Sequence, residues 1–289
     1  MSASNPLISA TELKERLTTS DQQMMVLDAS MHLPNANRDA WQEYQEGHIP
    51  GAGFFDIDQI ADEENELPHM LPSAEDFSTS VANLGIGSST AVVVYDSVGL
   101  FSAARVWWMF TVFGHTEVQV LDGGLPAWQA SGGSMERGIS NVEPAKNPIQ
   151  AKLHQDSVAS LEHVRRAVSN GCDEIKILDA RSKARFDGAA PEPREGLRSG
   201  HMPGAYSLPF TELLTAGKDE VMRIKSADEL RAIFAARGLG SNDAIITSCG
   251  SGVTAAVITL CLHIAGYKPG RLYDGSWVEW GGHSDTPIA

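Results

Sequence analysis

Gly47-His-Ile-Pro-Gly-Ala52 returns as Gly200-His-Met-Pro-Gly-Ala205, and the fold follows from that repetition. Around it, Val26-Leu-Asp-Ala29 returns as Ile177-Leu-Asp-Ala180, and the apolar run Ala91–Tyr95 returns as Ala244–Thr247. Leu121-Asp-Gly-Gly124…Trp128 returns as Tyr273-Asp-Gly-Ser276…Trp280. These pairs are offset by 151 to 153 residues, so one unit occurs twice in register. Between the copies, Ser131–Pro148 is rich in Gly, Ser, Asn and Pro and has no periodicity, which reads as a linker. The reading gives domains at 8–138 and 157–286, joined by a linker at 139–156.

Each copy alternates short β-rich runs with amphipathic helical stretches, which predicts an α/β fold. Each domain is expected to be a mainly parallel sheet flanked by helices on both faces. Ser226 followed by Glu229 is a capping box, and Gly238 closes the helix it opens. A second helix is predicted over Val253–Ala265, with Val253, Val257, Leu260, Cys261 and Ile264 on one face and Gly266 as its stop.

The chain of 289 residues carries 22 basic and 37 acidic side chains, a net charge of −15. A binder of nucleic acid or of an anionic membrane would carry a basic surplus, so neither partner is expected. An anionic substrate would need a local cationic pocket working against the overall field. No apolar run approaches the roughly 20 residues of a membrane span, and the N-terminal sequence lacks the layout of a signal peptide. The three cysteines, Cys172, Cys249 and Cys261, have no C-x-x-C spacing, which argues against a disulfide scaffold and a zinc site. The expectation is a reducing compartment, the cytoplasm.

Cys249 heads Ser248-Cys-Gly-Ser-Gly-Val-Thr254, directly after a buried-strand signal and before a helix. Ligands of α/β sheets bind at the carboxyl ends of strands. Gly250 and Gly252 let backbone N–H groups turn inward, and the helix adds its positive end, a setting that favours a thiolate nucleophile. The duplicate of Cys249 is Asp96, in Val94-Tyr-Asp96-Ser-Val-Gly99. A core-filling cysteine would be matched by an apolar residue; an aspartate implies that both positions face a polar mouth. Only the second copy is then chemically armed. Cys172 and Cys261 read as structural. His201 reads as structural too, whereas His48 could either brace a turn or enter a shared cleft. The segment Arg181–Arg198 is locally basic and follows the strand Ile177–Asp179, so its arginines could clamp a small carboxylate.

With these residues in hand, nearly the whole chain resembles the rhodanese-like sulfurtransferases with tandem domains. The resemblance rests on the duplicated Gly-His-x-Pro-Gly-Ala, the Asp122–Trp128 and Asp274–Trp280 endings, Pro191-Glu-Pro-Arg194 and Cys249-Gly-Ser-Gly-Val-Thr254. Thiosulfate-preferring members resemble Cys-Arg-Lys-Gly-Val-Thr; here the two cationic positions are the neutral Gly250 and Ser251. That points to the branch that takes sulfur from 3-mercaptopyruvate, with thiosulfate as the alternative donor. The resemblance implies Cys249 as nucleophile, Arg185 and Arg194 as binders of the keto-acid, and Gly250, Gly252, Val253 and Thr254 as the loop around the sulfur. It also implies a proton relay through Ser251 and His48, with the aspartate unassigned between Asp39 and other nearby acids. A Cys249 persulfide would pass its sulfur to cyanide, a small thiol or a thioredoxin-type dithiol, with no metal or organic cofactor. A cysteine phosphatase would need an arginine where Ala255 stands. A non-catalytic binding module would not need the intact loop with both arginines.

Overall fold

The computed structural model describes residues 5–19, 23–172 and 174–289. They form two compact units. The first comprises the chain up to Glu63, Leu71–Leu153 and Ala216–Arg223. The second comprises Glu64–Met70, His154–Thr215 and Ile224–Ala289.

The first half runs β1 (Leu7–Ile8), α1 (Ala10–Thr19), β2 (Met24–Asp28), α2 (Ala40–Glu46), β3 (Gly53–Phe54), α3 (Ala74–Asn83), β4 (Ala91–Tyr95), α4 (Ala103–Val112), β5 (Val118–Leu121) and α5 (Gly124–Ala130). The second half runs β6 (Val158–Ala159), α6 (Leu161–Ser169), β7 (Ile175–Asp179), α7 (Lys183–Phe186), β8 (Tyr206–Ser207), β9 (Leu214–Ala216), β10 (Met222–Ile224), α8 (Ala227–Ala236), β11 (Ala244–Ser248), α9 (Ala255–Ile264), β12 (Arg271–Tyr273) and α10 (Ser276–Gly282).

The two sheets have one topology. The order β1-β5-β4-β2-β3 in the first unit becomes β6-β12-β11-β7-β8 in the second. Every pairing within them is parallel. The central strands, Ala91-Val-Val-Val-Tyr95 and Ala244-Ile-Ile-Thr-Ser248, are almost continuously buried, as strands covered on both faces must be. Register then fixes the ends: Asp28 stands beside Tyr95 in one sheet, and Asp179 beside Ser248 in the other. Both aspartates and both following loops, Asp96 and Cys249, therefore sit at carboxyl ends of neighbouring strands.

The core of the first unit packs Ile8, Leu13, Val26, Val93, Leu121 and Trp128. That of the second packs Val164, Ile177, Met202, Ile246, Trp277 and Trp280. The capping box at Ser226 and Glu229 forms as predicted and starts α8 at Ala227. Helix α9 begins at Ala255, two residues later than predicted, because Gly252 takes a left-handed φ of +77° and Val253 and Thr254 complete the turn after it. Among the described residues no helix is long and apolar enough to cross a membrane.

Candidate active site

Cys249 is 2% exposed, and its loop is pinned to the start of α10 from two sides. Trp277 N donates to Cys249 O (3.0 Å) and Val278 N to Gly250 O (2.9 Å). In the other direction, Cys249 N and Gly252 N both donate to Ser276 Oγ, each at 3.1 Å. Ser276 Oγ in turn donates to Tyr273 O (2.8 Å). Ser276 holds a left-handed φ of 48°, which a serine adopts only under constraint. Its duplicate is Gly124, at φ 55°. The first loop keeps the backbone contact alone, Leu125 N to Asp96 O at 3.0 Å. Sequence reasoning passed over Ser276; its one signal was a serine at the duplicate of a glycine.

The first copy shows what this kind of loop binds. The Asp96 carboxylate, 1% exposed, accepts from four backbone amides. They are Val98 N (3.1 Å), Phe101 N (2.7 Å), Ser102 N (3.0 Å) and Ala103 N (2.9 Å). It fills the anion-binding end of α4 with its own charge. The matching amides of the second loop belong to Ser251, Thr254, Ala255 and Ala256. There the first turn of α9 has no side-chain cap, and the residue at its mouth is a cysteine. A carboxylate occupies the first cradle, and Cys249 holds the duplicate position in the second.

Ser251 is 6% exposed, and its Oγ lies 3.1 Å from His69 Nδ1. His69 is equally buried and comes from the Glu64–Met70 segment of the second unit. The histidine expected at this position, His48, is elsewhere. Its ring is fully buried and donates from Nδ1 to Tyr44 O (2.7 Å). Its Nε2 meets Ser140 Oγ at 2.9 Å, and it stacks on Tyr44 with ring centroids 4.1 Å apart. His201 repeats this role, donating from Nδ1 to Phe186 O (2.8 Å) and stacking on Phe186 at 3.8 Å. In both copies the motif histidine braces the helix before it. Searching among duplicated motifs could not find His69, which has no duplicate and lies 182 residues from its partner.

Arg185 lies on the short helix α7, and its side chain is 19% exposed. Its Nη2 stands 2.9 Å from where a Cβ on Gly250 would be, so the guanidinium covers the catalytic loop. Arg185 Nε donates to Glu192 Oε2 (3.1 Å), and Nη2 donates to the same oxygen. Arg181 Nη1 donates to the other oxygen, Oε1 (2.7 Å). Arg181 is itself wholly buried, bound to Asp179 through Nη2 (2.6 Å) and Nε (3.0 Å), and stacked on Trp277 at 4.1 Å. Burial opposes its charge, but Asp179 and Glu192 outweigh that and hold the guanidinium above its ordinary pKa. Arg194 is half-buried, two residues beyond Glu192 on the same loop. Gly252, Val253 and Thr254 form the turn between Ser251 and α9. The structure thus brings Arg185 to Gly250 and Ser251 to His69.

A family model described as the rhodanese-like domain matches the chain twice, at residues 9–131 and 161–283. The 3-mercaptopyruvate sulfurtransferase of Escherichia coli K12 is 42% identical over 269 residues, covering 93% of this chain and 92% of that protein. The human 3-mercaptopyruvate sulfurtransferase is 41% identical over 283 residues, covering 95% and 91%. The crystal structure of SseA from Escherichia coli, described as a 3-mercaptopyruvate sulfotransferase, superposes with a TM-score of 0.82 at 39% identity. It covers 95% of this chain and 99% of that one. Tum1 from Saccharomyces cerevisiae gives 0.86 at 30% identity over 95% of this chain and 94% of its own. The chain belongs to the rhodanese-like family and carries its domain twice.

Proposed function

We propose that the chain is a sulfurtransferase that moves the sulfur of 3-mercaptopyruvate through a persulfide on Cys249, releasing pyruvate. The observation that carries the reading is the paired loops: four amides hold a carboxylate at Asp96, and the matching loop presents Cys249 instead. The Cys249 thiolate attacks the substrate sulfur, forming S–S as the C–S bond breaks, and the bonding pair leaves as the enolate of pyruvate. The substrate's thiol proton passes to the enolate carbon, with Ser251 and His69 placed to carry it. Pyruvate and an anionic persulfide remain. The amides of the loop and of α9 stabilise that anion by the arrangement that holds Asp96 in the other copy. Arg185 and Arg194 grip the keto-acid carboxylate and carbonyl.

The donor assignment draws support from Gly250. The room a side chain would need there is taken by Arg185, so this loop cannot carry a cation at that position without displacing its own arginine. The persulfide then passes its outer sulfur to cyanide, a small thiol or a thioredoxin-type dithiol. Three free, buried cysteines support a reducing compartment such as the cytoplasm. Pyruvate release by wild type, Cys249→Ser and Arg185→Ala tests the reading. None is expected from the first variant and a strong loss of kcat/KM from the second; equal rates in all three would overturn it. A higher kcat/KM for thiosulfate than for 3-mercaptopyruvate would overturn the donor.

A further inference from the structure

We propose that Glu192 is a positioning residue, holding the Arg185 guanidinium over the Cys249 loop for the substrate carboxylate. This rests on the reading of Arg185 as a substrate-binding group. Glu192 has a 2% exposed side chain, and each of its oxygens is taken by a different arginine. A carboxylate out of water between two guanidiniums costs desolvation energy that only firm pairing recovers. One of its partners cannot move. Arg181 is fixed by Asp179, by Gly200 O (2.9 Å) and by the Trp277 face at once. The other partner, Arg185, is the more exposed of the two. Glu192 therefore transmits the fixed position of Arg181 to Arg185. It leaves part of the Arg185 guanidinium facing the loop, with Nη2 where a Gly250 side chain would stand.

Glu192 also sets the charge at this corner. Asp179 and Glu192 match Arg181 and Arg185 one for one. The incoming carboxylate then meets at Arg185 an oriented donor fork whose charge Glu192 already balances, so recognition by this arginine depends on direction more than on attraction at a distance. Loss of Glu192 leaves the charge of Arg185 but not its aim. The defect should fall mainly on KM for the keto-acid.

The test is a double-mutant cycle on kcat/KM for 3-mercaptopyruvate, using Glu192→Gln, Arg185→Ala and the combination. Glu192→Gln should lower kcat/KM about 10–100-fold, the worth of one or two charge-assisted hydrogen bonds, with most of the change in KM. In the Arg185→Ala background the same substitution should change little. If Arg185→Ala loses activity but Glu192→Gln matches wild type, or lowers kcat/KM by the same factor in both backgrounds, the positioning role is wrong and the substrate reading stands. If Arg185→Ala matches wild type, both fall. Should Glu192→Gln fail to fold, Glu192→Asp keeps the charge but draws the carboxylate back from Arg185, and it is measured in the same two backgrounds. Its loss of kcat/KM should likewise vanish in the Arg185→Ala background, and equal losses in both would overturn the role.

Discussion

Ser276 supplies the side-chain tie between α10 and the sulfur loop, and replacing it gives two separable effects. Ser276→Ala removes the acceptor shared by Cys249 N and Gly252 N, together with the donor to Tyr273 O. The residue is fully buried, so no solvent takes its place. A buried donor such as Cys249 N that loses its acceptor costs about 1–3 kcal/mol if nothing relaxes. Ser276→Gly removes the same hydroxyl but eases the left-handed backbone, as Gly124 does in the first copy. That relief is worth about 1–2 kcal/mol. Both variants should therefore be destabilised in urea unfolding, with glycine the less affected by about 1–2 kcal/mol. Both should release pyruvate more slowly, because the loop keeps its contacts from Trp277 N and Val278 N but loses the hydroxyl that held Cys249 N and Gly252 N. The reasoning is refuted if Ser276→Ala matches wild type in unfolding midpoint and in kcat. The backbone argument alone is refuted if the glycine variant is the less stable of the two.

Asp96→Ala should lose about 2–4 kcal/mol of stability, since four amides including those opening α4 lose their acceptor, yet leave kcat/KM unchanged; a fall in kcat/KM at a temperature where the variant is folded would contradict the view of the first loop as disarmed. Burial first, and then the charge of Asp96, raise the pKa of Asp28, against hydrogen bonds from Ser30 and Tyr95 that lower it. A raised carboxyl contributes most below its unfolded pKa and loses that contribution as pH rises through its folded value. Asp28→Asn should therefore raise Tm at pH 7 and gain little below pH about 4, near the unfolded value; an equal gain at both would show that ionisation is not the cause. The two histidines should separate cleanly. His48→Ala should cost about 2–3 kcal/mol through its two hydrogen bonds and stacked ring, while His69→Ala should slow pyruvate release with little change in Tm. Reversed phenotypes would return the proton relay to His48.

Much of the fold could be read from the chain because the duplication is local in sequence. Six-residue motifs and strand-end aspartates recur at nearly fixed spacing, and the two sheets have identical order. The capping box at Ser226 was legible for the same reason, since all its partners lie within one turn. The start of α9 was not, because hydrophobic spacing continues through Val253 while the backbone turns at Gly252. In the site, Cys249, Ser251 and Arg185 announce themselves by residue type in a recognisable loop. Their partners do not. His69, Ser276 and Glu192 acquire meaning only through contacts made by folding, and nothing about a glutamate in Pro191-Glu-Pro-Arg194 reveals that it bridges two buried arginines. The His69 segment also packs with the second unit although it lies in the first half of the sequence. A linear division of the chain assigns it to the other side.

The central claim is tested most directly by incubating the protein with one equivalent of 3-mercaptopyruvate and no acceptor, then weighing its cysteine peptides. The account predicts one added sulfur atom on the Cys249 peptide, one pyruvate released per chain, and unmodified Cys172 and Cys261. Pyruvate release without added mass at Cys249, or added mass at either other cysteine instead, would contradict it.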